Sequence, residues 1–317
     1  MRILLKHILT AYYFMGLFLH RRYILLNVVF LSPMVLFANS YNTYNYYGNY
    51  NKSYHNNNPQ ADYDMAYNLY KKGDLEGALP LFGKLCEQNN FIACLSAGII
   101  QGKMLDDLDK NKRYSRSQRK KLKEQYYLSM MAFYQKSCNG GNYDACNNLA
   151  FYEYATTSKT KNDTEQKSET KSVELYTKAC QAGNKEACQN LGVIYSGVTN
   201  DKNGEDTMDL TRAQNYYGKS CTMGDSVACF NLGVLRYNYA TVASDYAEAI
   251  HLFNQACGGD YPAACLNLGI IYERGVTQDS NEDIANALQY YTKACYLKNA
   301  NACTYLSKLA NKQSKIN

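Results

Sequence analysis

All twelve cysteines of this 317-residue chain fall into six pairs with one spacing. They are Cys86/Cys94, Cys138/Cys146, Cys180/Cys188, Cys221/Cys229, Cys257/Cys265 and Cys295/Cys303, each pair eight residues apart. Within one straight helix, eight residues span about 12 Å. A disulfide needs Cα atoms roughly 4.4–6.8 Å apart. The end of one helix, a tight turn and the start of an antiparallel partner meet that requirement. The spacing therefore predicts local pairing, one staple per helical hairpin, each contributing about 2–3 kcal/mol in the chain-entropy model.

The pairs sit in a recurring sentence, clearest from Tyr176 through Tyr-Thr-Lys-Ala-Cys180 to Ala-Cys188-Gln-Asn-Leu-Gly192. First cysteines follow one another at intervals of 52, 42, 41, 36 and 38 residues. A period in this range marks a stacked repeat. The fold class expected is all-α, an α/α solenoid of stapled hairpins. Apolar residues at three- and four-residue steps, such as Ala247, Ile250, Phe253 or Leu252, and Ala256, support the first helix of each unit. Gly141, Gly183 and Gly224 suit a left-handed stop. Asn142, Asn184 and Asp225 follow directly and can cap the next helix. The fifth unit reads as shifted by one, Gly259-Asp260, with Pro262 in the first turn. Units one and six have Asn89 and Lys298 in place of Gly, with Asn90 and Asn299 as caps. Gly192, Gly233 and Gly269 lie mid-helix, where Gly costs about 1 kcal/mol against Ala. Close helix–helix approach is the expected reason, and Ala150 in unit two still fits it. Leu191, Leu232 and Leu268 should point into the core.

The units resemble Sel1-like repeats, relatives of the tetratricopeptide repeat. With the eight-residue staple they resemble the Helicobacter cysteine-rich protein family, over about residues 62–310. That resemblance implies penicillin binding with slow β-lactam hydrolysis, and secretion.

Cysteine usage this high and even points to an oxidising compartment. The N-terminus agrees. Arg21-Arg22, an apolar run from Ile24 to Phe37 and Ala38-Asn39-Ser40 read as a signal peptide over residues 1–38, with cleavage after Ala38 or Ser40. Met15 is an alternative start, and an uncleaved anchor is the alternative to cleavage. The chain is expected to be exported, periplasmic or secreted, with no stable membrane anchor once cleaved. Residues 39–60 form an Asn/Tyr-rich leader with little to bury, residues 61–310 the repeat array, and residues 311–317 a polar tail. Polar inserts occupy residues 104–124, 155–171 and 197–210. The first is basic, a contact patch or a solvated face.

Catalytic constellations are scarce. Ser-x-x-Lys occurs as Ser117/Lys120, Ser158/Lys161 and Ser168/Lys171, but without the Ser-Asp-Asn and Lys-Thr-Gly partners of serine β-lactamases. The only histidines are His7, His20, His55 and His251, too few and too scattered for a catalytic zinc. No metal and no cofactor are expected. Thirty-four basic against 28 acidic residues is too even a balance for a nucleic-acid face.

One polar position recurs two residues after the second cysteine: Asn148, Asn190, Asn231 and Asn267, with Ser96 and Tyr305 in the end units. Asn donates and accepts together. These side chains either bind a ligand in a concave groove or bond neighbouring repeats to each other. Two functional readings follow. One is a monomer that binds β-lactam or peptidoglycan-like ligands and slowly hydrolyses the former. The other is a non-catalytic scaffold for peptides or proteins.

Overall fold

The computed structural model describes residues 59–110, 114–157, 164–197, 199–200, 206–207, 209–275 and 280–314. Residues 1–38, expected to be a signal peptide, and nearly all of the Asn/Tyr-rich residues 39–60 lie outside the described residues.

Thirteen helices are present among them: α1 Pro59–Lys71, α2 Leu75–Glu87, α3 Phe91–Lys110, α4 Arg116–Asn139, α5 Tyr143–Thr157, α6 Thr164–Gln181, α7 Lys185–Ser196, α8 Leu210–Thr222, α9 Ser226–Asn238, α10 Ala243–Gly258, α11 Pro262–Glu273, α12 Ser280–Tyr296 and α13 Ala300–Gln313. The fold class is all-α, hairpin after hairpin. Two of the three inserts are largely helix extensions: α3 and α4 run into residues 104–124, and α5 and α6 into residues 155–171. The third holds a two-residue antiparallel pairing of Thr199–Asn200 with Asp206–Thr207, which the sequence pattern did not announce.

The described residues divide into two compact units, the first ending at Lys219 and the second beginning at Ser220. In the first, a core around Phe82, Leu85 and Ile100 is followed by one around Met130, Tyr134, Leu149, Tyr176 and Leu191. In the second, Leu268 and Phe253 are buried, and Tyr291 and Leu309 pack with Ile270 and Leu306. Each fully buried Leu or Phe contributes about 1.5–3 kcal/mol.

All six cysteine pairs are disulfides, with Cα–Cα distances of 4.6–4.8 Å. One turn serves every hairpin. The third residue after each first cysteine is left-handed: Asn89, Gly141, Gly183, Gly224, Asp260 and Lys298. The units without Gly thus make the same turn and carry strain that Gly would relieve. This corrects the reading of the fifth unit. Gly259 has φ −84°, Asp260 takes the left-handed place, and Tyr261 stands at the N-cap without a side-chain bond. The turn is set by distance from the staple, and the Ala264 N–H, which a side-chain cap would take, donates instead to the Tyr261 carbonyl at 3.1 Å. Elsewhere the cap is an Asx oxygen accepting the N–H of the residue before the second cysteine, as Asn90 does from Ala93, Asn184 from Ala187 and Asn299 from Ala302.

The mid-helix glycines answer to aromatic rings. A Cβ on Gly192 would come 2.5 Å from the Tyr217 ring, and one on Gly98 2.5 Å from Tyr134. In the second unit, Gly233 meets Phe253 and Gly269 meets Tyr291 in the same way. Each ring stands four residues before the next first cysteine. Two lysines that stand two residues before a first cysteine, Lys136 and Lys293, reach back to the preceding hairpin. Lys136 Nζ donates to the Glu87 carbonyl at 3.5 Å, and Lys293 Nζ to that of Cys257 at 2.7 Å. Both are cations at a helix C-terminus, where the dipole favours them.

Candidate binding surface

Asn148 and Asn190 lie on α5 and α7 in the first unit, Asn231 and Asn267 on α9 and α11 in the second. They recur once per repeat, at the same place in each second helix. Asn190 is 7% exposed. Its Nδ2 donates to Asn147 Oδ1 at 3.0 Å, linking second helix to second helix. Its Oδ1 has no hydrogen bond among the described residues. Asn148, Asn231 and Asn267 are half-buried. Ser96 turns back, donating to the Ile92 carbonyl. A second polar link lies beside Asn190: the cap residue Asn184 donates from Nδ2 to Asp144 Oδ1 at 2.7 Å. Burial pushes the Asp144 carboxyl above its ordinary range, and the Asn184 bond partly offsets this.

The Ser-x-x-Lys matches gain little from the structure. Ser117 and Lys120 are exposed on α4. Ser158 and Lys161 lie outside the described residues, as does the Ser168 side chain. Lys171 pairs with Glu153 at 2.5 Å. His251 is exposed on α10. Among the described residues no three His, Cys, Asp or Glu side chains gather as a metal site, and the cysteines hold no free thiol.

The surface feature that stands out is built from tyrosine doublets. In Tyr216-Tyr217 and Tyr290-Tyr291 the second ring is buried against a glycine and the first is half open to solvent. The first ring stacks on a tyrosine of the preceding helix. Tyr216 and Tyr195 lie 5.6 Å apart with an 8° interplanar angle, Tyr290 and Tyr272 5.5 Å apart with 17°. Arg212 lies over Tyr195 at 5.2 Å and Lys219 over Tyr216 at 5.5 Å. Arg212 also pairs with Asp209 at 3.1 Å. In the second unit the Tyr290 hydroxyl donates to Asn254 Oδ1 at 2.6 Å, and burial pushes its pKa up. The doublet itself was the available signal: two adjacent helical tyrosines cannot share one face, so one must look outward.

Four consecutive segments, residues 144–184, 185–225, 226–261 and 262–299, match the Sel1 repeat family. The chain is a disulfide-stapled Sel1-repeat protein. Two solved structures are similar in fold. One is a Sel1 repeat protein from Oxalobacter formigenes, with TM-score 0.54, 20% identity, and coverage of 76% of this chain and 88% of that one. The other is a protective antigen of uropathogenic Escherichia coli strains displaying an SLR fold, with TM-score 0.53 and 22% identity, covering 80% of this chain. The present Sel1-repeat chain spans about half, 52%, of the length of that antigen structure. No curated protein sequence matches the chain. The segment boundaries fall next to the cap residues: each repeat begins within two residues of the cap that opens a second helix, and includes the following first helix. Six disulfides fit a non-reducing, extracytoplasmic environment. No helix among the described residues is long and apolar enough to cross a membrane.

Proposed function

We propose that this Sel1-repeat protein is a non-catalytic, exported scaffold that binds a peptide or protein segment. The observation that carries the reading is the pair of half-open tyrosine stacks, Tyr195/Tyr216 and Tyr272/Tyr290, at the same aligned position in different repeats. Tyrosine and arginine are enriched where proteins bind proteins, and a tyrosine offers a large contact at low entropy cost. Arg212 and Lys219 edge the first stack with positive charge, which favours acidic groups near the bound segment. The slow β-lactam hydrolysis implied by the cysteine-rich family resemblance has no support from a nucleophile paired with a base among the described side chains.

Two experiments on the oxidised protein test the reading. A chromogenic cephalosporin should show no saturable hydrolysis above a mock preparation. Selection from a random peptide library should return binders whose affinity drops about tenfold in Tyr216→Ser, the size of a single interface anchor. Saturable hydrolysis that follows the protein peak, or selected peptides indifferent to both tyrosine stacks, would overturn it.

A further inference from the structure

Five of the six staples are sealed. Cys86, Cys94, Cys138, Cys146, Cys180, Cys188, Cys221, Cys229, Cys257 and Cys265 are at most 9% exposed. Cys295 and Cys303 are both half-buried. The difference has a structural cause. Each sealed staple is followed by the first helix of another repeat. Cys295–Cys303 has no such helix over it among the described residues. Around it the surface is open: Tyr296, the next residue, is 86% exposed, and Tyr305 is 41% exposed.

We infer that Cys295–Cys303 is a thiol-exchange site, reduced selectively by a dithiol while the other five disulfides persist. Exchange needs an attacking thiolate to reach a sulfur, so access decides which of several similar disulfides reacts. The step is ordinary. A thiolate of the dithiol bonds to one sulfur, the Cys295–Cys303 bond breaks, and the other sulfur leaves as a thiolate. The second thiol of the reagent then displaces the first. The reagent ends as a disulfide, and both cysteines end as thiols. The surroundings assist the leaving group. Cys303 lies in the first turn of α13, at the positive end of the helix dipole. Exposed Lys298 stands in the turn between the two cysteines.

Reduction has a defined consequence. Helix α13 buries only Ala302 and Leu309, and Tyr305 stacks on Tyr291 at 5.4 Å. Without its staple this helix loosens and uncovers the Tyr291 ring, otherwise fully buried. The last hairpin thus joins covalent state to the presence or absence of an open aromatic edge.

The test is limited reduction of the folded, oxidised protein with dithiothreitol, quenched by alkylation and mapped by mass spectrometry. Cys295 and Cys303 should be alkylated at least roughly tenfold faster than any other pair, at a rate linear in reductant. The double variant Cys295→Ser/Cys303→Ser should keep the other five disulfides and lose the fast phase. Simultaneous reaction of all pairs, a rate independent of reductant, or earlier labelling of another pair would overturn the inference.

Discussion

The ring of Tyr217 covers Gly192 so closely that a methyl group there would lie 2.5 Å from its Cδ1 atom. Two effects of opposite sign meet at this position. Alanine gains about 1 kcal/mol of helix propensity over glycine. Overpacking a buried contact costs about 1–3 kcal/mol. Here the neighbour is an aromatic ring buried in the core, so the cost should win. Gly192→Ala is expected to lower stability by about 1–2 kcal/mol. Gly83 provides the control. It is also mid-helix, but its nearest neighbour would be 4.0 Å away, at Phe133. Gly83→Ala should stabilise by about 0.5–1 kcal/mol. Denaturant midpoints of the two variants should move in opposite directions.

At one aligned position, four pairs of successive repeats are also joined by side chains of differing chemistry. The second-helix member stands seven residues after the second cysteine, its partner nine residues before the next first cysteine. The pairs are Gln101 with Ser129, Glu153 with Lys171 and Tyr195 with Arg212 in the first unit. In the second unit Arg236 pairs with Glu248 at 3.3 Å. Such pairs disfavour a slipped or exchanged repeat more than they add stability. Glu153→Lys and Lys171→Glu should each destabilise, and the double reversal should recover about 0.5 kcal/mol in a mutant cycle, less at high salt.

The left-handed turn makes a third prediction. Lys298 and Asn89 hold φ of 66° and 65°, where a residue with a Cβ pays roughly 1–2 kcal/mol and glycine does not. Glycine's greater freedom in the unfolded chain takes back part of that gain. Lys298→Gly should therefore raise thermal stability by a net ~1 kcal/mol or less, and Gly183→Ala, at φ 90°, should lower it by a similar amount. Calorimetry on the two variants checks the sign.

Asp144 gives the protein a pH signature. Its carboxyl is raised chiefly by burial, so the folded state holds that proton more tightly than the unfolded chain. From about pH 4 upward, the folded state binds more protons than the unfolded one, and this group's contribution falls as pH rises. Asp144→Asn keeps an oxygen to accept the Asn184 bond and removes the desolvated charge. Unfolding midpoints across pH 3–7 should show the variant gaining on the wild-type protein as pH rises, with no gain at the acid end.

Much of the fold was legible because it rests on local rules. Cysteine spacing gave the hairpins, and Asx residues at fixed distance from the staple gave the caps. Gly259 misled because glycine is read as the left-handed residue wherever it occurs, whereas the staple fixes that position at Asp260. The mid-helix glycines pointed rightly to crowding, but the partner is an aromatic ring from the next repeat, which spacing within one unit cannot disclose. The same limit hid the lysine clamp of Lys293 on Cys257 and the outward face of each tyrosine doublet. Both are contacts between repeats. Asn190 was visible as a recurring polar position, but its bond to Asn147 depends on how neighbouring second helices stack.

The account's central claim is that every hairpin carries its own staple. Proteolysis of the oxidised protein without reduction, followed by mass spectrometry of linked peptides, tests it most directly. The prediction is six linkages and no others: Cys86–Cys94, Cys138–Cys146, Cys180–Cys188, Cys221–Cys229, Cys257–Cys265 and Cys295–Cys303. A linkage between hairpins, such as Cys94 to Cys138, would contradict it.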